Sequence, residues 1–271
     1  MLLNISGLSS QLGLRLTDST RPQQLEQLQR EPRNQRAVEA FVEQVGSITS
    51  SEELTDNFEV YSFIMRAFDL EDQIFGRGLM RKMLESDPSD DTALVNRLTD
   101  PRFREIHDIL GFTKTGAAKP DFTDPAWQQG IIDRYFNQAF KNNAGDQNET
   151  VGTVLKFRRE ALEINNWFEV LRDSELSTFF RTALALPEQM AGLDLDKQKA
   201  IFESKLDLAT LSDPEVQEDL ITRFMAISDI QNPPSAVSST ALSVLQTSGG
   251  IGVIISLNVP QVSISASLLY R

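Results

Sequence analysis

The chain has 271 residues, 40% of them apolar and 24% charged, which is the composition of a soluble globular protein able to bury a core without staples. Its net charge of −13 argues against a nucleic-acid partner, since phosphate binding needs clustered Lys and Arg. There is no cysteine and one histidine, His107, which removes disulfides, thiol nucleophiles, Cys-ligated zinc, iron–sulfur clusters and any multi-histidine metal site within one chain.

The N-terminus has no charged region ahead of its few apolar residues, so it does not read as a secretory signal. No apolar run reaches membrane-spanning length, so no membrane insertion is expected. Met1–Leu14 is small, polar and leucine-rich, without a charged side chain. Residues 15–36 are polar and basic, with Pro22 and Pro32 as breakers and Gln23–Arg30 as a short helix. Val38, Phe41, Val42 and Val45 share one helical face, and Gly46 is placed to end that helix. Thr49-Ser50-Ser51 before Glu52 and Glu53 is a helix start, because hydroxyls accept first-turn N–H groups and acids oppose the positive dipole end. Leu54, Phe58, Tyr61, Met65 and Phe68 follow at near-helical spacing as one apolar face.

Asp87-Pro88, Asp100-Pro101, Asp124-Pro125 and Asp213-Pro214 each read as an N-cap followed by proline at the first helical position, where its missing N–H costs nothing. Phe103, Ile106, Ile109 and Leu110 line the helix after Pro101, closed by Gly111. Residues 113–120 and 141–149 read as loops around a helix carrying Trp127, Ile131, Ile132, Tyr135, Phe136 and Phe140. Lys156–Ile227 is the most strongly patterned stretch and reads as several packed amphipathic helices. Ile48–Leu70 and Ile164–Leu186 share an outline, and Leu98-Thr99-Asp100-Pro101 echoes Leu211-Ser212-Asp213-Pro214. A duplicated helical unit and convergence on the same capping chemistry both account for this.

From Ile230 to Tyr270 the chain carries no charged side chain. Pro233-Pro234 reads as a linker. Val253–Val259 is an apolar run and Val262–Leu268 alternates, which is the pattern of a β-hairpin turning at Asn258-Val259-Pro260-Gln261. Such a hairpin needs cover, because a lone one is marginal and its edges recruit other strands. It is expected to pack on the helical body or to pair with another subunit. The candidate interaction residues are Val253, Ile255, Leu257, Val262, Ile264 and Leu268.

Reactive constellations do not emerge. His107 and Asp108 are adjacent on a helix and are not expected to face each other. The acidic turns at residues 69–72 and 86–91 lack the pattern of an EF-hand loop. The glycines at 76 and 78, and those at 249, 250 and 252, lack a phosphate-loop lysine. Trp127 and Trp167 read as core anchors. Arg66, Arg77, Arg81 and Lys82 form a basic patch, either salt-bridged within the chain or open to an acidic partner.

The segments Leu54–Phe112 (with YSFIMRAFDLED, RKMLESD and NRLTDPRFREI) and Tyr135–Asp229 (with TALALPE, LDLDKQ and KLDLATLSDP) carry a resemblance. Together they resemble a domain-of-unknown-function family of alphaproteobacteria whose genes often lie among flagellar genes. The resemblance spans most of the chain between about Arg36 and Asp229, and it carries over no catalytic residue. What it implies is context: an accessory or structural role near the bacterial flagellum.

The expected fold is mainly α. It comprises a polar segment 1–35, a helical body 36–229 with related halves 48–112 and 164–227, and a β-rich tail 230–271. The expected function is a non-enzymatic structural or assembly protein of the flagellar rod, hook or basal body. It would use no cofactor and would bind flagellar components or copies of itself through its uncharged termini. The alternative is a cytoplasmic helical binding module acting as an export chaperone or regulator. An enzyme using carboxylates alone is a third reading, since Asp and Glu are abundant.

Overall fold

Two long helices hold the molecule together, and two aromatic cores form around them. The computed structural model describes residues 3–117 and 120–233, which form thirteen α-helices. They are α1 (Ser10–Arg30), α2 (Pro32–Val45), α3 (Ser51–Asp56), α4 (Phe58–Ala67), α5 (Arg77–Leu84), α6 (Leu94–Arg97), α7 (Pro101–Leu110), α8 (Pro125–Gln147), α9 (Glu149–Glu160), α10 (Trp167–Arg172), α11 (Ser174–Ala183), α12 (Leu195–Glu203) and α13 (Pro214–Gln231). The mainly helical class expected from sequence is correct. Among the described residues no strand forms beyond an isolated bridge between Ser50 and Ala117, and no helix is long and apolar enough to cross a membrane. The expected hairpin and its six interaction residues lie outside the described residues.

The first core is built by α2, α4 and α8. Phe41 stacks on Phe63 with ring centroids 4.5 Å apart, and Phe63 stacks on Tyr135 at 4.3 Å. The second is built by α9, α11 and α13, where Phe157 stacks on Phe179 at 4.0 Å and Trp167 on Phe202 at 4.8 Å. Helices α1 and α8 serve both: Leu28 and Phe140 lie in the first core, Leu14 and Ala144 in the second. Trp127 and Trp167 both pack in these cores, as expected.

Residues 3–35 are therefore not a separate polar segment. They form α1 and the first turn of α2, and Ile5, Leu8 and Leu14 are buried in the second core. The Ile5 amide donates to Gln147 at 2.7 Å, and the Ser10 hydroxyl donates to Asp229 at 2.6 Å. The low charge of the N-terminus thus reflects burial within its own chain, not a surface kept for a neighbour. Pro22 does not break α1; one ladder bond is lost and the packing of Thr17, Gln24 and Leu28 keeps the helix continuous.

Other expectations also change. The face Leu54–Met65 is split, because Asn57 caps α4 by accepting from the Val60 amide at 3.1 Å, and this turns Phe58 out to solvent. Residues 141–147 are not a loop. They continue α8, held by Lys141 on Asp69, by Ala144 in the second core and by Gly145 against Gly152. Gly46 ends α2 with a right-handed φ of −64°; a side chain there would press on Thr123. Asp87 starts no helix and instead closes a turn on Ser89. At Asp100, Asp124 and Asp213 the cap-plus-proline start is confirmed, each carboxylate accepting the amide two residues on.

The two bundles repeat one run of elements at a fixed offset. Six-residue α3 and ten-residue α4 match six-residue α10 and ten-residue α11. Ser50 and Asn166, then Asn57 and Asp173, are N-caps 116 positions apart. Glu53 and Glu169 reach back to accept from the amides of Thr49 and Asn165, in each case the residue before the cap. Asp69 and Ala185, again 116 apart, are the described non-glycine residues with positive φ, at 59° and 51°. Each is the left-handed residue of a Schellman end, in which Leu70 donates to Met65 and Leu186 to Arg181, both at 2.8 Å.

Left-handed backbone costs a residue with a Cβ about 1–2 kcal/mol. Ala185 is exposed and gains nothing from its methyl there. Ala185→Gly is expected to raise stability by about 0.5–1 kcal/mol, after the greater freedom of glycine in the unfolded chain is subtracted. A urea midpoint that moves down instead would refute this.

Candidate functional site

A cleft of about 540 Å³ opens between the end of the first bundle and the start of the second. Its walls come from the end of α4, from α6 and α7, and from α8, α9 and α10. Charged side chains dominate it, and the cause is local. Both α7 and α11 start on an aspartate cap, and α9 ends in Arg158-Arg159-Glu160, so helix ends with opposite dipoles meet at the cleft.

At its floor Lys156 donates to Asp173 at 2.5 Å, both side chains being 8% exposed, and lies 3.1 Å from Glu175. Asp173 also accepts the Leu176 amide at 2.9 Å, so one carboxylate caps α11 and neutralises the lysine. Burial disfavours the Lys156 charge, but Asp173, Glu160 and Glu175 outweigh it and hold the ammonium above its ordinary range. Glu160 moves the other way. Its burial pushes the carboxyl above the usual range despite Lys156 and Arg159. Arg159 bridges Glu160 at 2.5 Å and Gln138 at 2.7 Å.

On the opposite wall Arg102 pairs with Asp100 at 2.7 Å and donates to the Asp69 carbonyl. Burial opposes ionisation of Asp100, but the bonds from Arg102 prevail and its carboxyl lies below the ordinary range. Lys141 reaches Asp69 at 3.3 Å and Glu175 at 3.5 Å, which ties the left-handed end of α4 to the second bundle. Arg134 pairs with Glu105 at 2.5 Å and lies over the Phe68 ring at 4.5 Å.

The matching place in the first bundle is neutral. Position 116 before Asp173 is Asn57, and 116 before Glu160 is Gln44; Asn57 donates to Gln44 at 2.9 Å. Ala40 stands where Lys156 would be. The same helix-to-cap bridge is thus an amide pair in one bundle and a buried ion cluster in the other, where it faces the cleft. Sequence reading missed this cluster because Lys156 and Glu160 on α9 meet Asp173, the cap of α11, only once the helices have packed. The matched caps were the only sequence signal that pointed to it.

His107 also departs from expectation. Its Nδ1 lies 3.0 Å from the Asp108 carboxylate, and its Nε2 lies 3.0 Å from the Ser86 carbonyl. Adjacent helical residues point apart at Cβ, but the Asp108 side chain folds back while Arg104 holds its other oxygen at 2.9 Å. Burial alone would raise the Asp108 carboxyl; the bonds from His107 and Arg104 lower it. The ring is buried and fixes α7 to the turn after α5. Of the expected basic patch, Arg66 pairs with Glu71, and Arg81 pairs with Glu52 and Asp56.

No curated protein matches the chain. Its fold is similar to the X-ray structure of protein AGR_C_984 from Agrobacterium tumefaciens, at 30% identity and a TM-score of 0.73, covering 86% of this chain and 98% of that one. Residues 67–217 match the profile of a family described as protein of unknown function, DUF1217. That span is more than half of the sequence and takes in the cleft, both sets of ion pairs and the second Schellman end, and so the chain belongs to the DUF1217 family.

Proposed function

We propose that the chain is a non-enzymatic assembly protein that works by binding other protein subunits, and that its setting is the bacterial flagellum. The observation that carries the binding role is the state of the cleft's charges. At the floor and on both walls, most of the acids and bases are engaged by one another or by helix ends. Such a surface offers fixed shape and alternating charge to a polypeptide and leaves Asp173 occupied as a cap and counter-ion. The flagellar setting is supported by the sequence resemblance. The uncharged stretch Ile230–Tyr270, with Val253, Ile255, Leu257, Val262, Ile264 and Leu268, supports a contact with further subunits. The fixed offset of 116 residues supports reading the body as a duplicated helical unit.

Cell fractionation followed by a blot of purified hook–basal bodies tests the setting. Stoichiometric co-purification is the expected result. Removal of residues 234–271 is expected to abolish that co-purification while leaving the circular-dichroism helix signal in place. Loss of the helix signal would mean that the segment belongs to the core. The cleft also favours a second reading, a cytoplasmic export chaperone or regulator. A chain that stays wholly in the cytosol and pulls down an axial subunit would establish that one in place of the first.

A further inference from the structure

Two surface knuckles occupy matching places in the two bundles, and their net charges differ in sign: residues 71–82 carry three bases and two acids, residues 187–198 three acids and one base. In the first bundle the chain leaves a 3-10 turn at Glu71–Gln73 and enters α5 through Phe75-Gly76-Arg77. In the second it leaves a 3-10 turn at Glu188–Gly192 and enters α12 through Leu193-Asp194. Both present apolar side chains to solvent. Phe75 is 94% exposed, Phe58 and Leu79 are exposed as well, and Arg77 lies over the Phe58 ring at 5.7 Å. Leu193 and Leu195 are the exposed side chains of the other knuckle.

Helix α5 carries Arg77, Arg81 and Lys82 and no acid, within a chain of net charge −13. Arg81 is held by its own bundle. Arg77 and Lys82 are exposed and form no ion pair among the described residues. Between Glu188 and Asp196 the second knuckle carries Glu188, Asp194 and Asp196 and no base. Asp194 reaches forward only to Lys197 at 3.0 Å, an exposed pair of the kind that contributes little. The buried Tyr61 hydroxyl has no hydrogen-bond partner among the described residues; burial raises its pKa and the Arg77 charge opposes that rise.

We infer that these knuckles are the two sides of one self-association contact, in which the Phe75–Lys82 surface of one copy receives the Glu188–Asp196 surface of a second. Phe75 and Leu79 meet Leu193 and Leu195, while Arg77 and Lys82 meet the three acids. The patches differ, so the contact either closes twice in a two-fold pair or runs on from copy to copy. The inference rests on the assembly reading, and it uses surfaces separate from the uncharged stretch.

The test is sedimentation of the full chain over a concentration series at low and high salt. The wild type is expected to self-associate and to weaken with salt, as screened charges do. Arg77→Glu with Lys82→Glu, and separately Glu188→Lys with Asp196→Lys, are each expected to weaken self-association roughly 100-fold, because each sets like charges opposite one another. Both pairs leave the α12 cap residue Asp194 in place, and circular dichroism checks that each variant folds. Mixing the two variants is expected to restore association, since a contact between one variant and the other again brings surfaces of opposite net charge together.

A wild type that is monomeric throughout overturns the contact, as do variants that associate unchanged or a mixture that fails to recover. A monomeric wild type that instead binds anionic vesicles through Arg77 and Lys82 also overturns it, in favour of a membrane surface. Co-purification with hook–basal bodies by a chain that does not self-associate would remove this contact and leave the assembly reading standing.

Discussion

Lys156→Ala is expected to cost about 3–5 kcal/mol, because it removes the ion-pair partner of the buried Asp173 carboxylate at the cleft floor. Asp173 is as buried as the lysine and cannot turn to water without uncapping α11. The loss is against the net stability of a whole domain, about 5–15 kcal/mol, so the variant is expected to be partly unfolded at moderate temperature. Equilibrium urea unfolding measures it.

The first bundle supplies the control. Lys156→Ala, Glu160→Gln and Asp173→Asn together recreate the neutral arrangement of Ala40, Gln44 and Asn57. The triple variant is expected to recover most of the loss, since an asparagine still caps a helix and an amide pair carries no unpaired charge. If it is no more stable than the single variant, the ion cluster is not a charged substitute for the amide pair. The pH dependence has a definite sign at Glu160. Its folded carboxyl is raised, so the folded state holds that proton more tightly than the unfolded chain does. This contribution to stability is present at low pH and is lost as pH rises from the ordinary glutamate range through the raised one. Glu160→Gln alone is expected to flatten that segment of the stability curve.

What the sequence revealed follows from how local each signal is. The Asp-Pro starts at Asp100, Asp124 and Asp213 are legible because cap and proline act within three residues. The echo of Ile48–Leu70 in Ile164–Leu186 is legible because a Schellman end keeps its leucine and the flanking apolar residues. Residues 141–147 are illegible as helix because their composition is that of a loop, and distant partners such as Asp69 and Gly152 hold them helical. Pro22 misleads for the same reason. The cleft is the least legible feature: Asp69, Asp100, Lys156 and Asp173 meet only after two bundles are folded and docked along α1 and α8.

That docking depends on a close approach, and Gly152→Ala is the substitution expected to break it. Near the start of α9, a Cβ on Gly152 would lie 2.6 Å from the Gly145 Cα on α8. The obstacle is backbone, so no rotamer change relieves it, and the helices must move apart. Overpacking of this kind costs about 1–3 kcal/mol and occasionally more. The upper end is expected, because α8 and α9 meet at the Asn148 cap and cannot separate without disturbing it. The converse change is the sharper test. A Cβ on Gly145 would meet the Gly152 Cα at 3.5 Å, an ordinary contact. Gly145→Ala also removes a glycine from the last turns of a helix, where alanine is favoured by up to about 1 kcal/mol. One glycine of the pair is therefore expected to be intolerant and the other to be neutral or improved by the same methyl. Thermal unfolding of the two variants decides it. Equal losses would mean that the crossing can open symmetrically, and that the ion pairs from Lys141 to Asp69 and Glu175, rather than close helix packing, set how α8 and α9 hold the cleft.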